Sequence, residues 1–333
     1  MHRLVVFVMA ESPGVKKGEK AESVKPLQSA PHYFGSSIPQ QFVVGKEGEF
    51  LLRSYPPHVF LVEARREVDD IFSSSTFQLR EELTRKCHQL VRKYRGDAVL
   101  SEEYAIGIID HYQGDPEQFL ERADAMASFL KSEPLALDEK EVSYTLESQL
   151  KYAKDDLVII DWDGALIFEP SGQIEPIVEL IELANYQLLR YRMLDAELDK
   201  RLQKVGRLIE VSTPRHALSW NREVNRAFQE VIRHRAQSIA EFDAIDRDIK
   251  MIGDWYYARL YDLAGRKFKF SEWRRTIKEK LDSLEDVYGI ISENFSVSKL
   301  HYLEMIQIVL FFILQLGWFA LIVLELKIFL RQV

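Results

Sequence analysis

Residues 155–170 read DDLVIIDWDGALIFEP, two short apolar runs separated by Asp-Trp-Asp-Gly. Each run is rich in Val, Ile, Leu or Phe and too short for a helix, and Asp163-Gly164 is a favoured tight-turn dipeptide. The pattern predicts two strands with a tight turn, and it divides the chain. Ahead of it, strand-like and helical runs alternate; from Glu175 onward the texture is almost wholly helical.

Upstream, HVFLVEARR (58–66) has a strand pattern, and TFQLREELTRKCHQLVRKY (76–94) sets Phe77, Leu79, Leu83, Cys87, Leu90, Val91 and Tyr94 on a helical stripe. YAIGIIDHY (104–112) is an apolar strand. In GDPEQFLERADAMASFLKS, Asp115 as N-cap and Pro116 at the first helical position open a second helix. EVSYTLESQL (141–150) reads as a further strand. Residues 41–172 are thus expected to form a small α+β domain: two strand-helix units and a closing meander. Residues 1–40, which include SPGVKKGEKAESVKP, have little to bury and are expected to be a flexible arm. The opening MHRLVVFVMAESPG is too short to span a bilayer and is not read as a cleaved signal.

Downstream, Ile177, Ile181, Ala184, Leu188, Tyr191, Asp195, Leu198, Leu202, Val205 and Ile209 step by four and three residues, the spacing of a coiled-coil seam. Residues 173–300 are therefore expected to be a helical coiled-coil stalk, with Ile181, Leu188, Asp195 and Leu202 at a self-association seam. Asp195, a polar seam residue, would fix register or partner number. A second long helix is expected from about His216 to Leu263, and a third is capped by Ser271.

From Met305 to Leu324 the chain reads MIQIVLFFILQLGWFALIVL, with no charged residue. Twenty helical residues at ~1.5 Å each cover a ~30 Å hydrocarbon core. A transmembrane helix is expected over 303–326, with a short tail at 327–333, so membrane lipid is the first expected partner. Gln307 and Gln315 fall ~80° apart around that helix and suit hydrogen bonding within a homo-oligomer. The expected location is the cell membrane, the inner one in a Gram-negative cell, with a single pass and the bulk of the chain facing the cytoplasm.

The net charge of −8 argues against general nucleic-acid binding, and a cluster of Arg274, Arg275, Lys278 and Lys280 reads as a solvated helix face. One cysteine, Cys87, excludes an intramolecular disulfide or a cysteine-built zinc site. The eight histidines form no metal-binding spacing, and no phosphate-cradling or dinucleotide-binding glycine loop is present, so no cofactor is expected.

One motif suggests chemistry. VIIDWDGAL (158–166) resembles the strand and Asp-x-Asp-Gly-Thr of haloacid-dehalogenase-like phosphotransferases, in which Asp161 would attack phosphorus and Asp163 would act as general acid/base beside Mg²⁺. Ala165 replaces the threonine, and the helical remainder supplies no further strands for the required parallel sheet. A membrane-anchored Mg²⁺-dependent phosphohydrolase is the alternative function.

The layout of an α+β domain, DDLVIIDWDGALIFEP, the helical run LIELANYQLLRYRMLDAELDKRL (180–202), a long helical stretch and a C-terminal span resembles prokaryotic C-terminally anchored membrane proteins. More distantly it resembles the required-for-meiotic-nuclear-division family, domain of unknown function 155. That resemblance implies a non-enzymatic anchored protein and carries no catalytic residues. The leading expectation is an interaction or scaffold protein that self-associates through its stalk and presents the α+β domain to a cytoplasmic protein partner.

Overall fold

An unbroken apolar run, Leu4–Ala10, is buried along its whole length, as expected of a strand covered on both faces. The computed structural model describes residues 2–12, 41–55, 58–97, 99–210 and 255–332, with side chains described for all of these except 204–210, 290–302 and 325–332. The run belongs to β1, His2–Glu11, which pairs antiparallel with β4 (Val59–Val68) on one edge and β5 (Ser101–Ile109) on the other. The arm expected at residues 1–40 is corrected for this segment: its partners lie far along the chain, so local pattern does not reveal them. Residues 13–40 fall outside the described residues.

Because β4 and β5 both oppose β1, they run parallel to each other. They are joined by α1 (Ser74–Lys93), a split crossover with β1 in the slot. β2 (Phe42–Glu47) and β3 (Phe50–Tyr55) extend the sheet antiparallel beyond β4. On the other side β8 (Gly164–Phe168) pairs parallel with β5, and β7 (Leu157–Ile160) and β6 (Gln149–Leu150) follow antiparallel. The eight-stranded order is β2-β3-β4-β1-β5-β8-β7-β6, which makes the chain mixed α+β with the expected β7–β8 hairpin. Of residues 141–150, read as a strand, only Gln149–Leu150 is one, β6; residues 141–146 belong to helix α3 (Glu139–Leu146). Asp138 accepts from Lys140 N at 3.0 Å, and Glu139 and Glu141 favour the helix N-terminus.

Strand alternation sorts the core. Leu4, Val6, Val8, Phe60, Val62, Ala105, Leu166 and Phe168 face one side, under Leu83, Cys87 and Val91 of α1 and Met126, Phe129 and Leu130 of α2 (Ala123–Lys131). Burial pushes the Cys87 thiol up to about 12. Gly107 belongs to this face: a Cβ there would meet Ile71 and Leu166 side-chain carbons at 2.8 Å, so the β5 backbone requires glycine for close packing.

Two compact units divide the chain, one of residues 1–199 and 237–278, the other of 200–236 and 279–333. Helix α4 (Glu175–Glu210) and helix α6 (Phe270–Gln332) each contribute to both. In the first unit, α4 packs on the second sheet face, where Tyr55 stacks on Tyr186 at 4.7 Å. Helix α5 (Trp255–Lys267) lies against β6 and β7. The second long helix expected from His216 lies outside the described residues up to position 254. In the second unit, Leu303–Leu324 is long and apolar enough to cross a membrane, with mean hydropathy 2.4 and none of it buried.

The heptad-spaced Ile177, Ile181, Ala184, Leu188 and Tyr191 are at most 3% exposed, yet so are residues between them, including Glu182 and Gln187 at 0%. A helix buried on every side is an interior helix. Ile181 and Leu188 therefore pack inside this chain and are not offered to a second copy. Heptad spacing does not distinguish a coiled-coil seam from a stripe laid on a sheet. Asp195 and Leu202 are half-buried.

That burial carries ions with it. Arg53 of β3 lies between Glu63 of β4 and Glu182 of α4, all with side chains at most 5% exposed. Its guanidinium donates to both carboxylates and to Gln41 Oε1 at 2.7 Å, and Gln41 donates to Glu182 at 3.2 Å. Arg65 closes the cluster from the rim, donating to Glu63 and to Glu175 (2.6 Å). Buried charge is tolerated only when paired, and removing one partner of such a set costs about 3–5 kcal/mol. Arg53→Ala, which leaves two buried carboxylates without their shared guanidinium, is expected to lower unfolding stability by about that amount. Urea unfolding of the detergent-solubilised chain measures it, and a loss below ~1 kcal/mol would show that the cluster does not hold α4 to the sheet.

Candidate functional site

The β7–β8 hairpin turns tightly: Asp161 N donates to Gly164 O at 2.8 Å, which leaves Trp162 and Asp163 as the loop. Gly164 is not among the positive-φ residues; its role is spacing. A Cβ there would lie 3.1 Å from the Ala105 carbonyl and 3.3 Å from that of Leu130, so the glycine lets the turn press against β5 and the end of α2.

The two aspartates of the motif have different surroundings. The Asp161 side chain is 4% exposed, accepts from Trp162 N at 2.7 Å, and lies 3.1 Å from Lys267 Nζ of α5 and 3.7 Å from Lys131 Nζ of α2. Its carbonyl accepts from the buried Tyr104 hydroxyl at 2.8 Å. Lys131 also reaches Glu141 of α3 at 2.6 Å. Asp161 thus ties two helices, α2 and α5, and β5 to the turn, and α3 joins through Lys131. The Asp163 carboxylate makes no hydrogen bond among the described residues, and burial raises its pKa. In the haloacid-dehalogenase-like arrangement both aspartates serve one phosphorus on a parallel sheet; here they answer to separate neighbours on an antiparallel hairpin. Among the described residues no group of three or more His, Cys, Asp and Glu could hold a metal ion.

Asp163 opens onto a cleft of about 610 Å³ between α1 and the start of β5. Its floor includes Arg80, 6% exposed, with its guanidinium 5.1 Å over the Phe129 ring. Arg80 donates to the Phe129 carbonyl at 2.5 Å and the Asp163 carbonyl at 2.8 Å, and has no carboxylate within ion-pair distance among the described residues. Burial lowers its pKa to about 10. Arg85, His88 and Arg92 follow along the α1 rim, and the ring of His88 lies 2.7 Å from Glu103. That contact holds the Glu103 carboxyl below its ordinary range.

The sequence pattern brings Asp163 to attention but not the arginines. The buried spine of α1 is Thr76, Arg80, Leu83, Cys87 and Val91, and the signal was a charged residue three and seven positions ahead of Leu83 and Cys87. Lys131 and Lys267 carried no signal, since only the fold brings them to Asp161. Gln307 and Gln315 lie in the exposed apolar stretch of α6.

Residues 54–175 match the family described as the N-terminal domain of the uncharacterized protein MJ0711. Every residue that lines the cleft falls within that range. The chain is also similar to uncharacterized protein MJ0711 of Methanocaldococcus jannaschii, 26% identical over 253 residues, which is 74% of each chain. No solved structure matches.

Opposite responses are expected from the two aspartates. Asp161→Asn leaves Lys131 and Lys267 facing a neutral amide and is expected to destabilise by about 1–3 kcal/mol. Asp163→Asn removes a charge that burial disfavours and is expected to raise the thermal midpoint at neutral pH. A raised folded pKa penalises the fold only where the unfolded carboxyl is ionised, so the gain shrinks as pH falls through the ordinary aspartate range and vanishes below it. Melting curves of both variants between pH 3 and pH 8 check this; equal effects of the two substitutions would contradict the separation of their roles.

Proposed function

We propose that this chain is a single-pass membrane-anchored interaction protein, held by Leu303–Leu324 and presenting its α+β domain to a partner on the cytoplasmic side. The observation that carries the reading is the exposed apolar stretch of 22 residues in α6. Each large apolar side chain left in water forgoes about 1.5–3 kcal/mol, so a run of this kind is sustained only by lipid or protein cover. At ~1.5 Å per residue its length matches the ~30 Å hydrocarbon core, and a helix satisfies its own backbone there. Glu325, Lys327 and Arg331 follow it as polar flank.

The resemblance of residues 155–202 to anchored, non-enzymatic proteins supports the same reading. With Ile181 and Leu188 inside the chain, self-association is left to the half-buried Asp195 and Leu202 and to Gln307 and Gln315 within the span, where an interhelical hydrogen bond contributes about 0.6 kcal/mol.

Alkaline carbonate extraction of membranes from cells expressing the full chain tests the anchor. The full chain is expected in the pellet, and a version ended at residue 302 in the supernatant. Recovery of the full chain in the supernatant would overturn the proposal. Protease protection of a tag after Val333 then reports the side on which the domain lies.

A further inference from the structure

Most buried charges in this fold are matched: Arg53 has two glutamates, Asp161 two lysines, Glu102 has Arg192. The cleft beside α1 departs from that rule at the buried Arg80, and a half-buried carboxylate, Asp163, stands next to it. Arg80 is buried with only two backbone carbonyls as acceptors, and Asp163, beside it, accepts no hydrogen bond among the described residues. Among the described residues Arg80 has no carboxylate within ion-pair distance and Asp163 no hydrogen-bond donor, and across this one concavity the two charges act on each other only through space. An empty pair of this kind is what a bound molecule with both an anion and donor groups would complete.

The rim narrows the chemistry. Arg85, His88 and Arg92 stand at i, i+3 and i+7 and so share one face of α1. Arg85 and Arg92 are exposed and carry no ion pair among the described residues, whereas His88 is engaged by Glu103. Arg80, Arg85 and Arg92 share this space with the carboxylates Glu81, Glu103 and Asp163, so the cleft offers both signs of charge; its three guanidiniums favour an anion with several acceptor oxygens, because each fork binds two of them in parallel. Asp163 asks for hydroxyl or amine donors. At about 610 Å³ the cleft lies within the ~300–1,000 Å³ of small-molecule sites. A net charge of −8 disfavours a polynucleotide strand.

We propose that the cleft binds a phosphorylated polyol, its phosphate held by Arg80, Arg85 and Arg92 and its hydroxyls donating to Asp163. This site is independent of the membrane anchor and stands or falls apart from it.

Isothermal titration of the full chain in detergent with ribose 5-phosphate, AMP, ribose, inorganic phosphate and polyadenylate tests it. Ribose 5-phosphate or AMP is expected to bind at least about tenfold more tightly than ribose or phosphate alone, the difference one hydrogen bond to a charged group makes. Arg85→Ala and Arg92→Ala change exposed side chains, keep the fold by circular dichroism, and are each expected to weaken binding about tenfold or more. Asp163→Asn is expected to abolish the advantage over inorganic phosphate. Absence of binding to either phosphorylated probe, unchanged affinity in both arginine variants, or tighter binding of polyadenylate than of ribose 5-phosphate would overturn the proposal.

Discussion

β1 is hydrogen-bonded along both edges, to β4 over ten residue pairs and to β5 over nine. Those two neighbours belong to a crossover that leaves a slot one strand wide, and the remaining strands hang on them: β2 and β3 on β4, and β8, β7 and β6 on β5. Without β1 the sheet is two fragments with two facing edges unpaired, those of β4 and β5, a state that backbone hydrogen bonding does not tolerate in an interior. The cleft depends on the same strand, because the start of β5 is positioned against α1 only once β1 has filled the slot.

Polar groups inside the fold obey two regimes. On the α4 face the guanidinium of Arg53 is enclosed by carboxylates that come from β4 and α4, so charge pairing locks a helix to a sheet. On the α1 face the guanidinium of Arg80 is held by backbone carbonyls and an aromatic ring, which orient the group without neutralising it. The first arrangement is complete in itself. The second retains its field for whatever enters the cleft, and burial strengthens that field by lowering the local dielectric.

How much of this was legible in the sequence depends on the range of the interactions. The β7–β8 hairpin, α1 and the apolar helix rest on neighbours a few residues apart, and their periodicity shows them. β1 was hidden because its partners come from Val59–Val68 and Ser101–Ile109. The strand read over EVSYTL lost to the Asp138 cap and the acidic first turn. The heptads of α4 are real, but spacing alone does not say whether a stripe meets a sheet or a second helix. In the site, Asp163 lay in a recognisable string, while Arg80 looked like any helix arginine until the sheet beneath it was in place.

The position of β1 ahead of both its neighbours sets an order of assembly. As the chain leaves the ribosome, an apolar strand appears first and waits, Val5 for Arg65 and then for Ile106. During that interval it is an unpaired, seven-residue apolar segment of the kind that associates with other chains. The sheet is complete in sequence by Phe168, well over a hundred residues before Leu303–Leu324 is made. The domain can therefore close around β1 before the apolar helix emerges, and its vulnerable period lies between the synthesis of β1 and that of β5.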